Sequence, residues 1–313
     1  MNEQTLLQSL NGIGASPPPT EADVLLLQQL SFDQLQARIR RFTALLREQD
    51  DCPHDNGGTI SVREDQTVAY LSDGARATVY HASGALRYVS GLAPAEFPFA
   101  HAPEREALVR LIHERARKLN LADLAGANGE LRFENLFQTL GRGTDRAGKH
   151  SATTLFRAIG AYRQYVGGIA VLGAASSAIQ VAGNGRLDGL SLQVRPANGE
   201  VLERAALIEP EAGARQIIAQ LSALLGQREI PTDAVESAIM QFGYLDLGKR
   251  KPQRVLAPAY VAKIVLRHKT VRQGYVLAVA ATERPYLNLA VFGSEAVLTR
   301  ARTDVGRCGD TMR

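Results

Sequence analysis

Residues 162–173 read YRQYVGGIAVLG, and this stretch decides the expected fold. A polar and aromatic strand ends at Gly167-Gly168, and an apolar strand begins at once with Ile169. A second glycine turn, Gly183-Asn184-Gly185-Arg186, precedes a run from Leu190 to Val194 in which apolar and polar residues alternate. Because glycine and asparagine tolerate positive φ, both turns are typical of hairpins that join antiparallel strands.

The composition is that of a globular protein with more than one domain. The chain has 313 residues, of which 45% are apolar and 22% are charged, so a sizeable core and two domains are expected. The net charge of +4, from 36 basic and 32 acidic residues, is spread along the chain. This is not the concentrated positive surface of a nucleic-acid-binding protein, so we expect no nucleic-acid partner.

Targeting segments and metal-binding patterns are not evident in the sequence. No stretch approaches the roughly 20 apolar residues of a membrane-spanning helix, and the N-terminus has no signal-peptide pattern. We therefore expect a cytoplasmic protein, or an exported one whose leader has been removed. Cys52 and Cys308 could form one disulfide or remain two thiols, and neither lies in a zinc-binding pattern. We expect no metal and no cofactor.

Two helices are predicted near the N-terminus, after the three prolines at 17–19. Val24, Leu27 and Leu30 have the spacing of a short amphipathic helix. Ser31 and Gln34 are spaced as a capping box, which predicts that a second and longer helix begins there.

Helices and strands are then predicted to alternate in blocks. One helix follows Pro103, a second begins at Pro210 and ends at Gly226, and a shorter one covers 233–240. The strand-like stretches are 58–90, 131–195, 260–267 and 271–280.

Neighbouring strands with short turns should pair antiparallel, and one helix should cover each sheet. This predicts an α+β fold of tandem cystatin-like lobes, each a helix packed on an antiparallel sheet, preceded by N-terminal helices. The expected divisions are a helical segment at 1–50, a first lobe at 58–200, a second lobe at 201–295 and a tail at 296–313.

The glycine-turn stretch resembles a known kind of module. Arg163–Gly173 is similar to the signature of fungalysin/thermolysin-type propeptide modules, and Gly183–Leu187 resembles the hairpin that follows it. The similarity covers about 155–195, and Ala170 stands where those modules commonly have proline. The related PepSY module has a cystatin-like shape. A generic β-hairpin with glycine turns is the alternative.

The resemblance implies a non-catalytic domain that acts as an intramolecular chaperone or inhibitor, or a ligand-binding relative of one. The implied partners are a peptide, a protein or a small apolar ligand, and a homodimer stays open. Sheet edges that accept an added strand would hold a peptide partner. The alternatives are an isomerase-like or cyclase-like enzyme of specialised metabolism, with a pocket on a cystatin-like sheet and unknown catalytic residues, and a structural accessory.

Two motifs suggest chemistry but depart from its requirements, and one basic run has two interpretations. His113-Glu114 opens a zincin-like pattern, yet the fourth position after His113 is Arg117, which cannot ligate zinc. Residues 143–149 fit a P-loop up to Lys149, but His150 replaces the required Ser or Thr. The basic run at 249–254 is either a solvated loop or an anchor for an anionic partner.

Six residues are candidates for a binding site on the concave side of a sheet. Each is aromatic or ionisable and falls in a predicted strand or at its end. They are Tyr162, Arg163 and Tyr165 in the first lobe, and Tyr260, His268 and Glu283 in the second.

Overall fold

The structure is a computed structural model. It describes nine stretches of the chain: 3–11, 18–48, 58–101, 103–125, 130–144, 146–173, 176–226, 235–268 and 271–289. Cys52, Cys308 and the expected tail at 296–313 lie outside the described residues.

The described residues contain five α-helices and fifteen strands. The helices are α1 (Glu3–Asn11), α2 (Phe32–Glu48), α3 (Arg105–Lys118), α4 (Leu121–Ala125) and α5 (Pro210–Leu224). The first strands are β1 (Glu21–Leu27), β2 (Thr59–Val62), β3 (Gln66–Tyr70), β4 (Arg76–Tyr80), β5 (Leu86–Val89), β6 (Glu130–Gly141), β7 (Thr154–Val166) and β8 (Ile169–Leu172). They are followed by β9 (Ser177–Ala182), β10 (Leu187–Leu192), β11 (Ala197–Ala206), β12 (Val235–Leu245), β13 (Val255–Leu256), β14 (Pro258–His268) and β15 (Val271–Ala280).

The fold is α+β, with helices and mostly antiparallel sheet, as the sequence predicts. The chain divides into two compact units. The larger unit comprises Leu26–Glu200 and Asp246–Arg254, and the smaller unit comprises Met1–Leu25, Val201–Leu245 and Val255–Arg313.

The larger unit is built on one antiparallel sheet with the strand order β7-β9-β10-β5-β4-β3-β2. β6 pairs with the opposite side of β7, and β8 pairs with the end of β7. The two glycine turns close hairpins as predicted: Gly167 and Gly168 have φ values of 57° and 81° between β7 and β8, and 183–186 joins β9 to β10. The strands predicted within 58–90 are also confirmed, since β2, β3, β4 and β5 pair antiparallel in sequence order.

Two long helices cover one face of this sheet. α2 packs on β3 and β4, and α3 packs on β7 and β9. Their apolar stripes, which include Phe42 and Ile112, join the strand side chains in one buried core. The capping box is confirmed, since the Ser31 and Gln34 side chains each accept a hydrogen bond from the other residue's backbone N–H, at 3.3 and 2.8 Å.

The smaller unit contains the antiparallel strands β12, β14 and β15, in the order β12-β14-β15. α5 packs on β14 and β15, and α1 packs on α5 and β12. α5 begins at Pro210, and Gly226 follows its end with a φ of 72°, as the sequence predicts. β1 lies between β11 and β13 in a separate three-stranded sheet.

The short helix predicted from Val24, Leu27 and Leu30 is wrong. The stretch Glu21–Leu27 is strand β1, in which Val24, Leu25 and Leu27 are buried. The helical spacing of three apolar residues is real, but pairing on both edges of the strand satisfies its backbone groups and overrides the local pattern.

The helix predicted for 233–240 is also wrong where the structure describes it. Val235–Leu245 is strand β12, which pairs with β14 from Val235 opposite Leu266 to Tyr244 opposite Pro258. The capping-box spacing of Asp233 and Glu236 is a local signal, and pairing over eleven residues outweighs it. Positions 233 and 234 lie outside the described residues.

The expectation of one helix for each sheet is likewise corrected. In the larger unit α2 and α3 both pack on the sheet, and in the smaller unit α1 packs on α5 and β12. α1 and α2 each join the core of a unit.

Changing Gly183 to alanine should destabilise the larger unit. A Cβ at Gly183 would overlap the backbone of Pro98 and Phe99. The Gly183 N–H also donates a hydrogen bond to the Phe97 carbonyl at 2.8 Å. We expect a loss of about 1–3 kcal/mol of unfolding free energy, because backbone cannot move aside as a flexible side chain can. Urea unfolding followed by circular dichroism measures the loss.

Gly189→Ala is the matched control for this glycine. Its Cβ would meet Gln180 Cβ at 3.5 Å, an ordinary contact. Equal stability of the two variants would contradict the role given to Gly183.

Candidate functional site

The face of the larger unit's sheet opposite α2 and α3, here called the outer face, carries two adjoining concavities. Strand side chains alternate between faces, so that Ala77 and Val79 point into the core while Arg76, Thr78 and Tyr80 line the outer face. The first concavity lies on the outer face of β5, β10, β9 and β7, and the second lies on the outer face of β3, β4 and β5.

The first concavity, here called the cavity, has a volume of about 420 Å³. Gly189 on β10 belongs to its lining. Gly189 lies between Val89 on β5 and Gln180 on β9, and Gln180 in turn faces Ile159 on β7. Because Gly189 has no side chain, this cross-strand row has a gap. Apolar side chains of Leu92, Pro94, Phe156 and Ile159 line the cavity.

A buried ion pair forms the polar part of the cavity wall. Arg157 Nε donates to Asp188 Oδ2 at 2.6 Å, and the two side chains are 3% and 9% exposed. Gln180 Nε2 also donates to Asp188 Oδ2 at 2.6 Å, and the Ser90 hydroxyl donates to Oδ1.

The two terminal nitrogens of Arg157 are bonded as well. They donate to the backbone carbonyls of Ala93, Glu96 and Phe156 at 2.8–3.1 Å. The pair is thus held by protein groups on both sides, which suits a rigid wall better than a proton-transferring acid or base.

The second concavity, here called the arginine cleft, has a volume of about 200 Å³. Four arginines and two tyrosines give it its chemistry. They are Arg63, Arg76, Arg87, Arg250, Tyr70 and Tyr80. Arg87 and Val89 line both the cleft and the cavity, so the two concavities adjoin.

The strand register fixes the positions of the cleft arginines. Arg76 pairs with Tyr70 across β4 and β3. Arg76 also lies opposite Val89, and Arg87 opposite Thr78, which sets the two arginines diagonally on one face. Arg63 donates to the Tyr70 hydroxyl at 2.8 Å.

Arg250 reaches the cleft from the segment 246–254. Lys249 Nζ and the Arg250 guanidinium lie 4.9 and 5.7 Å from the centre of the Tyr80 ring. Arg250 also pairs with Asp65 at 3.3 Å, in an exposed ion pair. These contacts place Lys249 and Arg250 of the basic run against the sheet.

A second buried ion pair fixes the segment 246–254. Arg195 Nε donates to Asp246 Oδ1 at 2.8 Å, and these side chains are 3% and 4% exposed. Arg195 also donates to the carbonyls of Gly248 and Lys251 at 2.8 and 3.0 Å, and Gln193 Nε2 donates to Asp246 Oδ2 at 2.8 Å.

The three candidates in the first predicted lobe lie on β7 but do not form one pocket. Tyr162 is buried towards α3, where its hydroxyl and His113 Nδ1 are 3.1 Å apart. Burial raises the pKa of Tyr162 to about 12, so the phenol stays protonated at neutral pH. Arg163 is also buried, paired with Glu134 at 2.8 Å, and Tyr165 lies under the Arg132 guanidinium at 4.2 Å.

The other three candidates belong to the smaller unit. Tyr260 is fully buried, and its hydroxyl donates to the Ile208 carbonyl at 2.8 Å. Burial, with a contribution from Glu209, raises its pKa to about 12. Glu283 is exposed beyond the end of β15, and His268 is the last residue of β14, with its side chain outside the described part.

Sequence reasoning missed the outer face. The alternation Arg76-x-Thr78-x-Tyr80, followed by Arg87-x-Val89, was the available signal, since it places polar and charged residues on one face of two adjacent strands. The basic run at 249–254 pointed to one end of the cleft.

The motif alternatives also have their places in the fold. The described residues of 143–149 lie in the hairpin between β6 and β7, where Thr144 and His150 form an isolated antiparallel bridge, and not before a helix. Arg117 lies on α3 as a solvated residue of its last turn. Over the described residues, no group of three metal-ligating side chains occurs.

No protein-family model matches the chain, and no curated protein matches its sequence. Within the described stretches, no helix is long and apolar enough to cross a membrane.

Proposed function

We propose that this protein is a non-catalytic binding protein whose larger unit holds a small organic molecule in the cavity. The observation that carries the proposal is the concavity of about 420 Å³ beside Gly189, which is lined by apolar side chains together with the Arg157–Asp188 pair. Small-molecule sites are concave, mostly apolar and of this size.

The hydrogen bonds that hold the Arg157–Asp188 pair favour binding over catalysis. Arg157 and Asp188 give their donors and acceptors to protein groups, so neither is poised to exchange a proton with a ligand. The enzyme alternative would need such a group in the cavity.

The resemblance to propeptide and PepSY modules supports the same class of function. A helix lying across antiparallel strands, as α3 does on β7 and β9, is the arrangement expected of a cystatin-like lobe. We therefore also propose that the larger unit is a cystatin-like lobe. Strand addition at β6, which pairs only with β7 among the described strands, would serve a peptide ligand instead.

Changing Gly189 to valine should block the cavity without unfolding the protein. The new Cβ meets no atom closer than 3.5 Å, and valine favours strands more than glycine does. We expect the affinity for N-phenyl-1-naphthylamine, a neutral fluorescent probe, to fall at least about tenfold, a change of 1.4 kcal/mol. Fluorescence titration measures the affinity.

The matched control is Gly274→Val on β15, where a Cβ has no heavy atom within 4 Å. It should leave probe binding unchanged. Equal affinity of the wild type and Gly189→Val, or no binding by the wild type, would refute the cavity as the binding site.

A further inference from the structure

We infer that the ligand is an amphipathic organic anion, with its apolar body in the cavity and its oxyanion in the arginine cleft. This inference rests on the proposed function and adds the chemical class of the ligand. It starts from the two concavities being adjacent, since Arg87 and Val89 line both.

Two of the cleft arginines carry like charges that repel each other. Arg76 and Arg87 occupy diagonal positions on adjacent strands, a separation at which long side chains interact. Within the described residues neither takes part in an ion pair or a side-chain hydrogen bond. Two like charges held on one face without a carboxylate between them are favourable sites for an anion.

The side chains that line the cleft suit an oxyanion. The lining residues include four arginines and no acidic residue, and one of the four, Arg250, is paired with the exposed Asp65 at 3.3 Å. A guanidinium binds phosphate, sulfonate and carboxylate groups through paired N–H donors. Tyr70 and Tyr80 add aromatic surface and, through Tyr70, a hydroxyl that orients Arg63.

Two of the cleft arginines are held in place by other parts of the protein. Arg250 enters the cleft from the segment 246–254, which the buried Arg195–Asp246 pair holds in place. Arg63 is oriented by its bond to Tyr70. Preorganised donors lose less conformational entropy on binding an anion than mobile surface arginines do.

The test compares two probes that differ by one anionic group. They are N-phenyl-1-naphthylamine and its sulfonated analogue, 8-anilino-1-naphthalenesulfonate. We expect the sulfonate to bind the wild type about tenfold more tightly, as one charge-assisted hydrogen bond provides, and this advantage to shrink at high salt. Octyl phosphate and octanoate, as competitors, then distinguish phosphate from carboxylate head groups.

Arg76→Gln should remove most of the sulfonate's advantage and leave the neutral probe's affinity unchanged, because Arg76 lines the cleft and not the cavity. Arg76→Lys should retain part of it. The matched control is Arg272→Gln, an exposed strand arginine of the smaller unit that pairs with Glu236 at 2.7 Å.

Three results would overturn the inference and leave the proposed function standing. The first is equal affinity for the two probes in the wild type, and the second is an equal effect of Arg76→Gln and Arg272→Gln. Sulfonate binding that survives Gly189→Val would also overturn it, since the anion would then bind elsewhere. Failure of the neutral probe to respond to Gly189→Val refutes the proposed function itself.

Discussion

Replacing Asp188 by alanine is expected to lower the free energy of unfolding by about 3–5 kcal/mol. The change leaves the Arg157 guanidinium, 3% exposed, as a buried charge without its counter-ion. It also removes the acceptor of Gln180 and Ser90. Urea unfolding followed by circular dichroism measures the loss.

The control for Asp188 is the exposed pair of Arg215 and Glu211, spaced i,i+4 on α5. Glu211→Ala should cost no more than about 0.5 kcal/mol, because water screens an exposed pair. The double variant Arg157→Met with Asp188→Leu should be more stable than Asp188→Ala, since no buried charge remains. A loss for Asp188→Ala as small as that for Glu211→Ala would contradict the buried pair.

Replacing Asp246 by alanine is also expected to lower the free energy of unfolding by about 3–5 kcal/mol. Asp246 accepts hydrogen bonds from Arg195, Gln193 and the Gly248 N–H at 2.8–3.1 Å. Without it Arg195 is left buried and the segment 246–254 loses its attachment. Calorimetric or urea unfolding measures the destabilisation.

Asp246→Ala also has a consequence for binding. Arg250 lies on the released segment, so affinity for the sulfonated probe should fall more than affinity for the neutral probe. Glu114→Ala, which breaks the exposed i,i+4 pair with Lys118 on α3, is the control and should change neither stability nor affinity appreciably. Unchanged stability of Asp246→Ala would refute the role of the pair as an anchor.

Much of the secondary structure could be predicted because its signals are local. Gly167-Gly168 admits positive φ, Ser31 and Gln34 satisfy the first N–H groups of α2, and Pro210 suits the first turn of α5. The two errors have one cause. Residues 24–30 and 233–240 carry helical spacings, but strand pairing with distant segments decides the conformation of 24–27 and 235–240.

The candidate site was harder to predict, because it depends on which strands become neighbours. Tyr162 and Tyr260 are candidate binding residues by sequence because each is an aromatic residue in a predicted strand. In the structure both are buried, with their hydroxyls bonded inside the protein. The cleft joins Arg63, Arg76 and Arg87 to Arg250, which is more than 160 residues away in sequence.

The sequence by itself determined the α+β class, the glycine hairpins and the helices at 105–118 and 210–224, because turn dihedrals, capping and apolar periodicity act over a few residues. Only the tertiary structure decided that Gly189 opens a gap between Val89 and Gln180, and that Asp188 and Asp246 each neutralise a buried arginine. Those relations arise from strand order and register, and strand order is set by the burial of the whole core.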